Sequence, residues 1–125
     1  KVRQREPMPL RVVLNAGCER AGGEDVAFYE GCLSIPGYQA VVARPRNIAS
    51  TGIDLQGDPI AEEVSGWSAR IVAHETDHLS GILFLDKAEM RSLATNESVA
   101  KFWHQPSTQK AAAELGFSLP SGMVM

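Results

Sequence analysis

Residues 65–81 read SGWSARIVAHETDHLSG, the segment with the clearest helical periodicity in the chain. Four of its side chains recur at i, i+4, i+7 and i+11, the spacing of one helix face: Trp67, Ile71, His74 and His78. Ser65 is a residue type that favours the N-cap of a helix, and Gly81 is one that ends helices. The pattern therefore predicts one helix over residues 66–80.

Shorter extended segments surround this helix in the sequence. We predict strands at residues 10–14, 38–43, 47–55 and 60–64, and a short buried strand at 82–86. The turn QGDP, residues 56–59, joins two of these strands as an antiparallel hairpin. Helical patterns return at residues 96–104 and 107–115. The predicted fold class is α+β, with antiparallel strands packed on a central helix and a C-terminal helical tail.

The composition is that of an ordinary globular domain. Of 125 residues, 44% are hydrophobic and 22% are charged, which excludes intrinsic disorder, and we expect residues 1–125 to form a single domain. A net charge of -3 argues against direct nucleic-acid binding, and the apolar runs are too short to cross a membrane. The cysteines are too few for a disulfide scaffold, which favours a reducing compartment. Because the first residue is Lys1 rather than Met, we expect an N-terminal portion upstream.

The predicted helix carries the motif HETDH at residues 74–78. Residues four apart on a helix lie on one face about 6 Å apart, so His74 and His78 can reach one metal ion. Glu75 lies beside such a site, where a carboxylate can take a proton from a metal-bound water. The motif therefore predicts a metal site, against the alternative of two unrelated helical histidines.

A third metal ligand must come from another part of the chain, because catalytic sites of this kind usually have three protein ligands. The remaining histidine, His104, lies in a segment that reads as peripheral. Cys32 is the stronger candidate, because the glycine before it and the Pro-Gly pair at residues 36–37 mark a bend. From these residues alone, a buried structural role for Cys32 stays open. Cys18 has no such setting, and we expect it to be inert.

Two motifs taken together resemble the peptide deformylase family. They are EGCLS at residues 30–34 and HETDHL at residues 74–79. The resemblance implies that one divalent metal ion is bound by Cys32, His74 and His78. It favours Fe(II) as the native ion, with Zn(II), Co(II) or Ni(II) as alternatives. The family's upstream segment of the form GxGLAAxQ is not among these 125 residues, and Ala73 stands where many members have glutamine.

The resemblance implies a hydrolase that removes the N-formyl group from the formyl-methionine of newly made polypeptides. Glu75 would carry the proton from water to the departing amine, and the Leu33 backbone N–H would stabilise the oxyanion. The expected partner is the nascent formyl-Met polypeptide, with a transient association with the ribosome. These substrates imply the bacterial cytoplasm or, in a eukaryote, the mitochondrion or plastid.

Four further residues have secondary roles in this prediction. Trp67 and Ile71 precede His74 on the same helix face, and we expect them to line an apolar pocket for a methionine side chain, although core packing explains them equally well. Asp77 and Arg44 are expected to support the metal ligands from outside the site, with a solvated surface pair as the alternative.

Two other functions stay open at this point. A metallopeptidase of the HExxH type would cleave internal peptide bonds and would take a third ligand downstream of the motif, where Asp86 and Glu89 are the nearest carboxylates. A non-catalytic relative of the deformylases would use the ion only to fix its fold, and it would not need Glu75 as a base.

Overall fold

The computed structural model describes residues 5–103 and 108–120. The strands in this part of the chain are β1 Leu14–Arg20, β2 Asp25–Cys32, β3 Ile35–Pro45, β4 Asn47–Ile53, β5 Pro59–Ser65 and β6 Ala88–Thr95. The α-helices are α1 Gly66–His78, α2 Asn96–Phe102 and α3 Thr108–Leu115, and a 3-10 helix spans Phe84–Asp86. The predicted α+β class with antiparallel sheets is confirmed.

The chain divides into two compact units. The first comprises residues 1–24 and 45–81, and the second comprises residues 25–44 and 82–125. The expected single domain over residues 1–125 stays a prediction. In the described part of the chain, no helix combines the length and hydrophobicity that crossing a membrane requires.

The first unit is a three-stranded antiparallel sheet with α1 packed on it. The strand order is β1-β4-β5, and α1 contacts all three strands. The predicted hairpin is confirmed as β4 and β5, with Thr51 opposite Ala61. The Asp54 carboxylate closes its turn by accepting hydrogen bonds from the backbone N–H groups of Gln56 and Asp58, both at 2.9 Å.

The first predicted strand was placed too early. Residues 10–13 are not in a strand, and β1 begins at Leu14, which pairs with Ile53 of β4. The register then shifts between Leu14 and Gly17, where Asn15 has a φ of 51°. The β-branched run of residues 10–13 favours extended backbone, but a strand also needs a partner, and β4 pairs only from Leu14 onward.

The predicted metal-site helix is present and begins at Gly66, as predicted. Ser65 is its N-cap, as predicted, but the Ser65 side chain makes no capping hydrogen bond. Instead the Gly66 N–H donates to the Arg46 carbonyl at 3.0 Å. The helix ends at His78, two residues earlier than predicted, and Gly81 follows with the positive φ of 73° expected of a residue that ends helices.

The second unit is another three-stranded antiparallel sheet, in the order β2-β3-β6, with α2 and α3 contacting it. The predicted strand at residues 38–43 lies inside β3, whereas β2 and β6 were not predicted. A cluster of Ala40, Val42 and Phe84 forms a core in this unit. α2 and α3 agree with the predicted helical tail, apart from His104 and Ser107, which lie outside the described residues.

The predicted strand at residues 82–86 is wrong. Part of this apolar run forms the 3-10 helix Phe84–Asp86. The Asp86 carboxylate accepts a hydrogen bond from the Leu83 N–H at 2.8 Å, and the Asp86 N–H donates to the Leu83 carbonyl at 3.0 Å. These local hydrogen bonds satisfy the backbone within one turn, so the segment needs no strand partner.

Candidate metal centre

α1 brings the two motif histidines together. The ring centroids of His74 and His78 lie 4.8 Å apart, and the rings are nearly perpendicular, with an interplanar angle of 83°. His74 is 9% exposed and the His78 side chain is 30% exposed, so the pair leads from the buried side of the helix toward solvent. This is the arrangement that the i,i+4 spacing predicts, and it leaves one ring accessible to a ligand or solvent.

Glu75 lies beside the histidine pair rather than between its rings. Its side chain is 67% exposed, and its Oε2 atom is 4.0 Å from Nε2 of His78. A carboxylate in this position is close enough to exchange a proton with a water molecule near the imidazoles. Its exposure also leaves it accessible to such a water.

A cavity of about 700 Å³ lies in the first unit beside the helix face that carries Glu75. Its wall includes Ile71 and Glu75 of α1 and the apolar Met8, Leu10 and Val13 from the segment before β1. Thus Ile71 lines a cavity, and its expected contact with a methionine side chain stays a prediction. Trp67 is not among the residues that line it.

Trp67 lies near two cationic side chains instead. The guanidinium carbon of Arg5 is 4.5 Å from the centroid of the Trp67 ring, and that of Arg70 is 5.5 Å from it. Both distances are within the range of cation–π attraction. This contact was not predicted, although arginine three residues after tryptophan on a helix is a usable signal.

Cys32 and Leu33 belong to the second unit. Cys32 is the last residue of β2; it is half-buried and packs against the cluster of Ala40, Val42 and Phe84. Leu33 follows in the turn before β3, with a fully exposed side chain. Cys18, the other cysteine, is a half-buried residue of β1 in the first unit.

Arg44 is part of a buried ion pair, not a solvated one. Its side chain and that of Glu30 are 3% and 4% exposed. Glu30 was not predicted, although a carboxylate directly after the apolar run of β2 and two residues before Cys32 was the available signal. Asp77 is half-buried on α1, and its expected support of the metal ligands stays a prediction.

His74 and His78 of the first unit and Cys32 of the second carry imidazole and thiol donors, side chains of the types that bind metal ions. The donor set fits a divalent metal, because thiolate and imidazole are donor types that Zn(II) takes and that also suit Fe(II), Co(II) or Ni(II). The donors do not distinguish among these ions.

Known proteins with similar sequences and structures identify the family. The family model for polypeptide deformylase matches residues 1–94. The chain belongs to the polypeptide deformylase family. Peptide deformylase 3 of Streptomyces avermitilis is 56% identical over 119 residues, covering 95% of this chain and 53% of the relative. The human mitochondrial peptide deformylase is 43% identical over 91 residues, covering 73% of this chain and 37% of the relative.

Solved deformylase structures share the fold. A peptide deformylase from Synechococcus elongatus, in complex with actinonin, aligns at a TM-score of 0.60 and 32% identity, covering 86% of this chain and 52% of that structure. The deformylase family is metal-dependent, which agrees with the donor set described above. The chain spans about half the length of the first two curated relatives that it matches, 53% and 54%.

Proposed function

We propose that this protein is a metal-dependent hydrolase that removes the N-formyl group from the formyl-methionine of newly made polypeptides. The observation that carries the proposal is the helix α1 in a chain of the deformylase family. On this helix the ring centroids of His74 and His78 lie 4.8 Å apart, with Glu75 beside them. Cys32 is the proposed third ligand, since its donor chemistry completes a three-residue set.

The ion, when bound, supplies Lewis-acid chemistry that activates water and polarises the formyl carbonyl. Glu75 accepts the proton of the attacking water and delivers it to the amine that departs. The exposure of its carboxylate suits this task, because the group must meet both water and substrate. The Leu33 backbone N–H, next to Cys32, donates a hydrogen bond to the carbonyl oxygen as negative charge develops there.

Two further roles complete the proposal for the site. Asp77, next to His78 on α1, orients the ligands from outside the metal site. Ile71 and Trp67 contact the methionine side chain of the substrate. Ile71 is the better supported of these two, because it is 39% exposed and lines the cavity in the first unit.

The substrate class suggests where the protein works and what it meets there. A chain beginning with formyl-Met is made in the bacterial cytoplasm, the mitochondrion or the plastid, and we propose one of these compartments. The nascent chain is then the partner, with a transient association with the ribosome. Fe(II) is the proposed native ion, and Zn(II), Co(II) and Ni(II) are the ions to compare with it.

A direct assay tests the activity. The full-length protein, loaded with Fe(II) under anaerobic conditions, should release formate from a formyl-Met tripeptide and leave the matching acetyl-Met tripeptide intact. Cleavage of internal peptide bonds without formate release would favour the metallopeptidase instead. Asp86, a candidate ligand in the metallopeptidase alternative, already accepts a hydrogen bond from the Leu83 N–H in the 3-10 helix. Metal binding with neither activity would indicate the non-catalytic relative.

A further inference from the structure

A buried ion pair lies close to Cys32 in the chain. Arg44 Nε donates to Glu30 Oε2 at 2.6 Å, and Arg44 Nη2 donates to Glu30 Oε1 at 3.0 Å. The two side chains are 3% and 4% exposed. Two parallel charge-assisted hydrogen bonds fix the relative orientation of a guanidinium and a carboxylate more tightly than a single contact can.

The pair shares a face of the second sheet with Cys32. Glu30 and Cys32 are two residues apart on β2, so their side chains point to the same side of the strand. Arg44 follows Val42 by two residues on β3, and Cys32 packs against the cluster that contains Val42. The ion pair and the thiol are therefore neighbours on one surface of two adjacent strands.

The end of β2 needs such an anchor. Gly31, between Glu30 and Cys32, has no side chain to pack, and a Cβ there would come within 3.3 Å of Gln39 Cγ. Glycine also leaves the backbone more freedom than other residues do. Directly after Cys32 the chain turns at Leu33 and Ser34. Cys32 is thus the last strand residue before a turn, and the Glu30–Arg44 pair fixes a side chain two residues before it.

A contribution to folding stability does not by itself explain why this ion pair is buried. Removing two charges from water is costly, and replacing a buried ion pair with apolar residues of similar volume is often neutral or stabilising. The two parallel hydrogen bonds of the Glu30–Arg44 pair instead fix the relative orientation of these two side chains.

We propose that Glu30 and Arg44 are positioning residues for Cys32. Their ion pair holds the end of β2 in the orientation that presents the Cys32 sulfur to a metal ion. The inference rests on the proposed role of Cys32 as a ligand.

Cobalt binding tests the proposal without relying on activity. Wild type, Arg44→Lys and Glu30→Gln are compared in the full-length protein, each in a Cys18→Ser background so that Cys32 is the cysteine observed. Co(II) titration measures affinity, and the thiolate-to-cobalt charge-transfer absorption reports the sulfur–metal bond. We expect both variants to bind Co(II) about 10- to 100-fold more weakly, with a weakened charge-transfer band, because outer partners of metal ligands typically have effects of this size.

Arg46→Lys is the matched control. Arg46 also pairs with a glutamate, Glu24, at 3.0 Å, but its side chain is 30% exposed and that of Glu24 is 45% exposed. This substitution should leave both cobalt readouts unchanged. Folded Arg44→Lys and Glu30→Gln proteins with wild-type affinity and an unchanged band would overturn the proposal.

A double variant covers the case in which the single variants do not fold. Glu30→Leu with Arg44→Met removes both charges, leaves neither unpaired and keeps a similar volume. If the double variant folds as wild type does but binds Co(II) more weakly, the positioning role is supported. If it binds Co(II) with wild-type affinity, or if it also fails to fold, the ion pair has a purely structural role. If wild type and Cys32→Ser give the same affinity and neither has the thiolate band, Cys32 is not a ligand. That result contradicts the proposed ligand set rather than the ion pair.

Discussion

The His74 and His78 rings meet nearly edge to face, with centroids 4.8 Å apart and an interplanar angle of 83°. One helix therefore supplies two imidazoles to the same small volume before any other element contributes. Because both residues belong to the rigid backbone of α1, their spacing costs little conformational entropy to maintain. Glu75, the proposed base, is on the same helix, so the three groups keep a common orientation.

Glu75 is expected to carry protons and not to bind the metal. Glu75→Gln keeps the size of the side chain but removes its basicity, so formate release should fall by roughly 10²-fold or more. Metal content, measured by atomic emission, should stay at the wild-type level. Glu63→Gln, at an exposed position of β5, is the control. Full activity of the Glu75 variant would contradict the assignment.

Cys32 is expected to be the cysteine that matters for metal. Cys32→Ser should weaken metal binding by more than the roughly 10- to 100-fold typical of outer partners, because it removes a thiolate ligand directly. Cys18→Ser is the matched control, since Cys18 is also a half-buried cysteine. Competition with a metal chelator measures both variants. If the Cys32→Ser and Cys18→Ser variants had equal affinities for the metal, the third ligand would be a residue other than Cys32.

Tyr29 gives a prediction about stability and pH. The ring is buried in β2, and its hydroxyl has no hydrogen-bond partner among the described residues. Burial raises the pKa of Tyr29 from 10.0 to about 12. The unfolded chain thus loses this proton at a lower pH than the folded chain does. The contribution of Tyr29 to the free energy of unfolding should be constant below pH 10 and decline as pH rises toward 12.

Tyr29→Phe should remove that pH dependence and cost little stability near neutral pH, because the lost hydroxyl is unpaired. Chemical denaturation at several pH values measures the effect. Tyr38→Phe is the control, since Tyr38 is 47% exposed. A large loss of stability in Tyr29→Phe at pH 7 would mean that the hydroxyl is hydrogen-bonded.

A side chain at Gly52 should lower the stability of the fold. A Cβ at Gly52 would collide with the Val13 side chain and lie 2.9 Å from the Leu14 carbonyl oxygen. Gly52→Ala should therefore lower the free energy of unfolding by about 1–3 kcal/mol, the usual cost of overpacking. Thr51→Ala, at the exposed neighbouring position, should change it much less. Equal melting temperatures for the two variants would contradict this account.

The parts of the fold that the sequence predicted are those set by nearby residues. The helix carrying His74 and His78 follows from one periodic stretch, and the β4–β5 hairpin follows from the turn that Asp54 closes. Both need only contacts within a few positions along the chain. The same locality explains why EGCLS and HETDHL, each a short motif, were enough to indicate the family.

The features that were not predicted depend on pairing between residues far apart in the chain. β6 is largely exposed and has no clear alternation, and it is a strand because β3 provides its partner, with Val42 opposite Ala88. The buried bond between Glu30 and Arg44 joins residues 14 positions apart, and neither side chain alone indicates burial. The helix, the hairpin and the chemistry of the proposed ligands were predictable, because they depend on residue type and local spacing. Which strands pair and which charges are removed from water were not, because both depend on partners that chain folding brings together from distant parts of the sequence.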